Sequence, residues 1–365
     1  VTNPLAPSRP PVLLHGAAAR RALRHAIALL LLASIVPVAN AAISLGYLYG
    51  VPWPPRTGHY LGVMRVCVAI VVFFWLPWVV IGRTTLDRVT PRRRLAQRGA
   101  AVACGSAAIF AADPSVAFTP LAMIIFWGTF AWLTLEVCRS HGIVLERPRG
   151  ETDPRRRRAH TWELSQRAFN FCVAGGFLAF LSAQALLFLD VDVLPVMDDQ
   201  LAALGIEGDL GRTLAAVTST VVLEDVVIVA AVAALMTAAR RPVWQIYTTI
   251  CVVEVAVHAY FGLPALAMAI FAAGRLQIFL HYGRVVPLMI AHGIFDLAGT
   301  LLKPVPLPYR IAAGCVLAIA LPMIEKRATG AADAEEQADP DPAAHPDEPP
   351  ARDRANAVSS PAKDS

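Results

Sequence analysis

Ten apolar stretches follow one another along the chain, most of them near the ~20 residues that cross the hydrocarbon core of a bilayer. They run over 24–48, 61–82, 99–114, 117–138, 167–189, 214–239, 243–261, 263–281, 285–302 and 307–324, and each predicts a helix, because a spanning segment must satisfy its backbone hydrogen bonds internally. The first run is longer than a signal-peptide core and lacks a small-residue cleavage pattern, so it reads as a retained span. With 56% apolar residues, 16% charged and a mean hydropathy of +0.54, the chain stands well away from a soluble domain, where about a quarter of residues are charged. The expected fold is therefore all-α: a polytopic transmembrane helical bundle of about ten spans. No two of the six cysteines are spaced as CxxC, which argues for small buried hydrophobes and against a disulfide frame or zinc knuckle.

Arginine distribution sets the topology. Six arginines lie in 83–98 and seven in 139–166, whereas 190–213 has one arginine and no lysine. The positive-inside rule places the first two segments in the cytoplasm and the third outside. Two cytoplasmic flanks need an even number of crossings between them, so 99–138 must be a hairpin, turning at the Asp-Pro step of "ADPS" (112–115). Both termini then fall in the cytoplasm. The chain divides into a lead-in (1–21), an N-terminal transmembrane region with basic loops (22–189), an acidic extracytoplasmic loop (190–213), a C-terminal core (214–324) and a tail (325–365). The tail is rich in Ala, Pro, Asp and Glu without aromatics, which predicts disorder. The basic loops read as topology signals that also attract anionic lipid; nothing in them points to nucleic acid.

Ionisable residues inside spans carry the functional signal, since each costs about 2.5–3.5 kcal/mol to insert at the bilayer centre. The predicted helices over 214–302 hold Glu224, Asp225, Glu254, His258, Arg275, His292 and Asp296, while the earlier spans are almost free of charge between their ends. Glu254 and His258 are four residues apart, as are His292 and Asp296, so each pair shares a helix face. Unpaired, these groups would cost more than about 10 kcal/mol, comparable to the stability of a whole domain. They must meet one another, water or a metal.

The order of these residues resembles the CAAX-protease and bacteriocin-processing family of intramembrane endopeptidases, which includes proteins of abortive-infection type. That family carries EExxxR, FxxxH and HxxxN/D motifs. The corresponding stretches are "EDVVIV" (224–229), "EVAVH" (254–258) and "HGIFD" (292–296), and the resemblance covers about 214–302. It implies a metalloprotease of the bacterial-type plasma membrane that cleaves a membrane-associated peptide or protein. Glu224 would be the catalytic base with Asp225 beside it, and His258, His292 and Asp296 would bind a divalent metal, zinc being the expected ion, or the reacting water. The chain departs from the motifs at Asp225, at Val229 where the family has Arg, and at Glu254 where it has an aromatic. Glu254 and Arg275 are the expected supporting pair, with Arg275 standing in for the missing arginine.

Two other classes compete with proteolysis. A catalytically degenerate adaptor or immunity protein would fit the loss of arginine at Val229. A proton-coupled transporter would also hold buried acids and histidines, but it predicts a matching set of charges in the first half, which the sequence lacks. No HExxH or GxSxG motif is present, and the one Gly-Asp step, at Gly208, lies in the outer loop, which sets aside the other intramembrane protease types.

Overall fold

A computed structural model describes residues 11–81, 90–110, 120–146, 154–189, 210–306, 308–317, 319–320 and 323. The expected turn at 112–115, most of the outer loop, the tail, the first ten residues of the lead-in and parts of both basic loops lie outside them. All the helices described below lie within Val1–Pro322.

The fold is all-α, with ten helices among the described residues: α1 Gly16–Leu48, α2 Thr57–Val80, α3 Pro91–Phe110, α4 Pro120–Ser140, α5 Pro154–Phe188, α6 Leu210–Ala238, α7 Val243–Val257, α8 Met268–Tyr282, α9 Val286–Leu302 and α10 over 308–317. Helices α3, α4 and α5 each begin on a proline, whose fixed φ suits the first turn and whose missing N–H needs no partner there. Among the described residues, six helices are long and apolar enough to cross a membrane: α1, α2, α4, α5, α6 and α8 with the turn before it, while α7 and α9 are shorter apolar helices. The protein is an integral, multi-pass membrane protein.

Three helices begin well before their expected N-termini. α1 begins at Gly16 instead of 24, α3 at Pro91 instead of 99 and α5 at Pro154 instead of 167, the last two through runs of arginines. Hydropathy marks where a segment leaves oil, whereas a helix continues as long as intrahelical hydrogen bonds remain its best option.

Helix α6 is the axis of the fold. Every residue from Leu223 to Met236 is buried, and α6 packs against α1, α4, α8 and α9. Its middle, Val222–Ala231, is a π-helix. The i→i+5 bonding puts more residues in each turn, so consecutive side chains diverge less than in an α-helix. Glu224 and Asp225 consequently face the same side. Around this axis, α5 packs along both α8 and α9. The close approach of α5 to α8 depends on Gly175, where a Cβ would come within 2.8 Å of the Phe271 backbone nitrogen.

The predicted span 243–261 ends early. α7 stops at Val257, His258 is its C-cap, and short 3-10 turns over Ala259–Phe261 and Leu263–Ala267 follow. Gly262 takes φ 74°, open only to a residue without a Cβ, and Pro264 cannot donate to a continuing helix.

Candidate metal centre

The turn that ends α7 shapes the first part of the site. His258 Nδ1 lies 2.9 Å from the carbonyl oxygen of Glu254, and because a carbonyl only accepts, Nδ1 carries the proton. The other ring nitrogen, Nε2, is left as a lone-pair donor, the arrangement that prepares an imidazole for a metal. Phe261 stacks on this ring, with centroids 6.1 Å apart and planes within 8°.

Arg275, fully buried on α8, is the hub. Its Nη1 donates to Asp225 Oδ1 at 2.6 Å, and its Nη2 donates to Glu254 Oε1 at 2.7 Å and to Glu224 Oε2 at 3.4 Å. Its Nε reaches the Phe271 carbonyl at 3.4 Å, and the Phe271 ring lies under the guanidinium at 4.1 Å. Three helices are tied by one side chain. The residue five positions after Glu224 on its own helix, Val229, is fully buried in the apolar core, so the cation comes from α8 instead.

Asp225 also orients His292 on α9. His292 Nδ1 is 3.1 Å from Asp225 Oδ2 and 3.0 Å from Arg275 Nη1. A guanidinium cannot accept, and Arg275 Nη1 has a shorter bond to Asp225, so the consistent assignment places the Nδ1 proton toward Asp225. His292 Nε2 then faces Asp296 Oδ2 at 3.4 Å and Glu224 Oε2 at 3.7 Å. Phe271 meets the His292 ring edge-on, at 5.0 Å.

All seven ionisable residues expected from the sequence thus converge, but their grouping differs from the expectation. Glu224, Glu254 and His258 each bring a donor atom within 4.8 Å of the others, and they form the one such group among the described residues. The set His258, His292 and Asp296 does not form one. Glu254, expected as a support, joins the potential ligands; Asp225, expected beside the base, is held by Arg275 and His292.

The residues fit a dication on two counts. Glu254 Oε2 is buried with no hydrogen-bond partner, a costly state for a carboxylate oxygen. Secondly, three buried carboxyl groups, Glu224, Asp225 and Glu254, face a single guanidinium, so with all three ionised two negative charges would be left for a cation to balance. Counting Asp296 together with an imidazolium at His292 leaves the same two. One divalent cation closes that balance when His292 is an imidazolium paired with Asp296; with a neutral His292 the Asp296 carboxylate remains in excess.

Sequence reasoning missed Phe271 and a clasp at the start of α9. Phe271 carried a usable signal, being four residues before Arg275 on one helix. The clasp carried none: Glu146, just beyond α4, accepts from Arg284 Nε at 2.8 Å and from the backbone N–H groups of Val285 and Val286 at 3.0 and 3.2 Å, while Arg284 Nη2 donates to Thr161 at 2.7 Å. Glu146 thereby caps the helix that carries His292, from a distant part of the chain.

Fold and site together define a polytopic all-α membrane protein with a buried acid–histidine cluster suited to binding a metal. No protein-family model matches the chain, and no curated protein or solved structure matches it either.

Proposed function

We propose that the protein is a metal-dependent intramembrane endopeptidase of the CAAX-protease and bacteriocin-processing type. The carrying observation is the charge of the centre: buried carboxylates exceed their one guanidinium by two, next to histidines whose Nδ1 atoms are engaged. Glu224, Glu254 and His258 would hold the dication. Such an ion supplies Lewis acidity and makes water nucleophilic near neutral pH.

The chain's own groups supply the remaining chemistry. Peptide hydrolysis forms a C–O bond from water and breaks the C–N bond, and the water's proton ends on the leaving amine. Glu224 has two oxygens, so it can hold the ion with one and accept the water's proton with the other. His292, fixed through Nδ1 by Asp225, aims Nε2 toward Glu224 and Asp296, where it can stabilise the developing oxyanion or pass the proton on. Arg275 holds Asp225 in place through the hydrogen bond from its Nη1. Phe271, the Phe261 ring and the α6 core keep bulk water out.

The test is quantitative N-terminal peptide profiling of membranes from cells expressing the native chain or Glu224→Gln at matched abundance. New N-termini restricted to the native chain are expected. Identical profiles would overturn the proteolytic reading in favour of an adaptor role, with Val229 marking where catalysis was lost.

A further inference from the structure

Six of the seven side chains at the centre are at most 8% exposed, whereas Asp296 is 18% exposed. Its carboxylate meets His292 Nε2 at 3.4 Å, and among the described residues no lysine or arginine pairs with it. Three positions earlier on α9, and so on the same side of the helix, Gly293 borders open space: a Cβ there would meet only Val221 Cγ2 within 4 Å, at 3.8 Å. Ile294 and Leu297, next to this strip, are exposed apolar residues. Among the described residues the centre therefore opens at Asp296, onto an apolar helix face, with a carboxylate at the opening and a gap over a glycine beside it. When the dication and Arg275 balance the three buried carboxylates, Asp296 is a surplus negative charge.

We propose that Asp296 determines specificity, receiving a cationic side chain from a substrate segment that approaches along the Gly293 strip of α9. The substrate class is then an apolar, membrane-embedded peptide segment with a Lys or Arg close to the cleaved bond. This deepens the endopeptidase reading and rests on it for the cleavage step alone; recognition of the cation stands on Asp296 and the opening.

The experiment uses the full chain in lipid nanodiscs, with Glu224→Gln as background so that probes stay intact. Three fluorescent Leu/Ala peptides carry one central Lys, Gln or Glu. The Lys probe is expected to bind roughly tenfold tighter than the Gln probe, the scale of one charge-assisted pair. Adding Asp296→Asn should remove that preference, and Asp296→Lys should transfer it to the Glu probe. Gly293→Leu, whose Cβ meets only Val221 Cγ2, should weaken all three probes alike. Equal binding of the three probes would overturn the proposal and show that His292 meets Asp296 internally as an imidazolium; so would a Lys preference that survives Asp296→Asn. Lys-selective binding by the Glu224→Gln chain with no cleavage of any probe by the native chain would support Asp296 as the cation receptor while refuting proteolysis. Cleavage of all three probes at equal rates would do the reverse.

Discussion

At the scale of single residues, the centre is a matter of charge held in oil. Arg275 is bonded to three carboxylates and fully buried, so removing it leaves acids with no counter-charge. Arg275→Leu is expected to destabilise the protein by about 3–5 kcal/mol, the usual cost of breaking a buried pair from one side, read as a lowered thermal midpoint in micelles. Arg275→Lys should recover only part of it, because a single ammonium cannot reproduce the fork that joins Asp225 with Nη1 and Glu254 with Nη2. Glu254→Gln isolates the metal contribution. It leaves an acceptor for Arg275 Nη2 but removes a ligand charge, so zinc or cobalt affinity should fall by at least the roughly 10–100-fold seen when supporting groups of metal sites are lost. Unchanged affinity, measured by metal titration and elemental analysis, would exclude Glu254 from the ligand set.

Elements decide whether these residues can meet. α6 presents Glu224 and Asp225 together because it is π-wound there, and α7 turns His258 back on Glu254 because the helix ends at Val257, ahead of the turns that hold Gly262 and Pro264. Neither element's detail follows from periodicity. α9 is positioned from outside itself, by Glu146. Glu146→Ala removes its cap, worth about 0.5–2 kcal/mol, and also leaves the largely buried Arg284 without its carboxylate. A loss of about 3 kcal/mol in thermal stability is expected. Hydrogen exchange should show its fastest opening in the first turns of α9, and an effect spread evenly over all helices would contradict this account.

For the whole molecule, pH tests how the N-terminal helix is fastened to the rest. His141, just past α4, places Nε2 3.0 Å from His25 Nδ1 on α1. Burial, with help from the neighbouring His25 and Arg21, pushes the His141 pKa down from 6.5 to about 4. A histidine whose folded pKa is depressed binds its proton more readily in the unfolded chain. Its contribution to stability is therefore complete above about pH 6.5 and is lost as pH falls toward 4. The thermal midpoint should fall over that window, and His141→Gln should flatten part of the slope; a native chain with no slope between pH 6.5 and 4 would contradict the His25–His141 contact.

Much was determined by the sequence by itself: a membrane protein, because its apolar runs leave no other solvent for them, and an all-α one, because only internally bonded backbone survives there. It also selected the seven ionisable residues, since charge inside a span is expensive enough to stand out against an apolar background. Tertiary structure alone decided which of them share a ligand set and which are braced. Glu224 and Asp225, Glu254 and His258, and His292 sit on three different helices, and their partnership turns on distances of a few ångströms fixed by a π-helix, a broken helix end and a guanidinium from α8. Helical spacing reports which residues share a face of one helix; it carries no information on how far that face stands from another. That is why His258, His292 and Asp296 looked like one ligand set in the chain, while Glu224, Glu254 and His258 are the three drawn together in space.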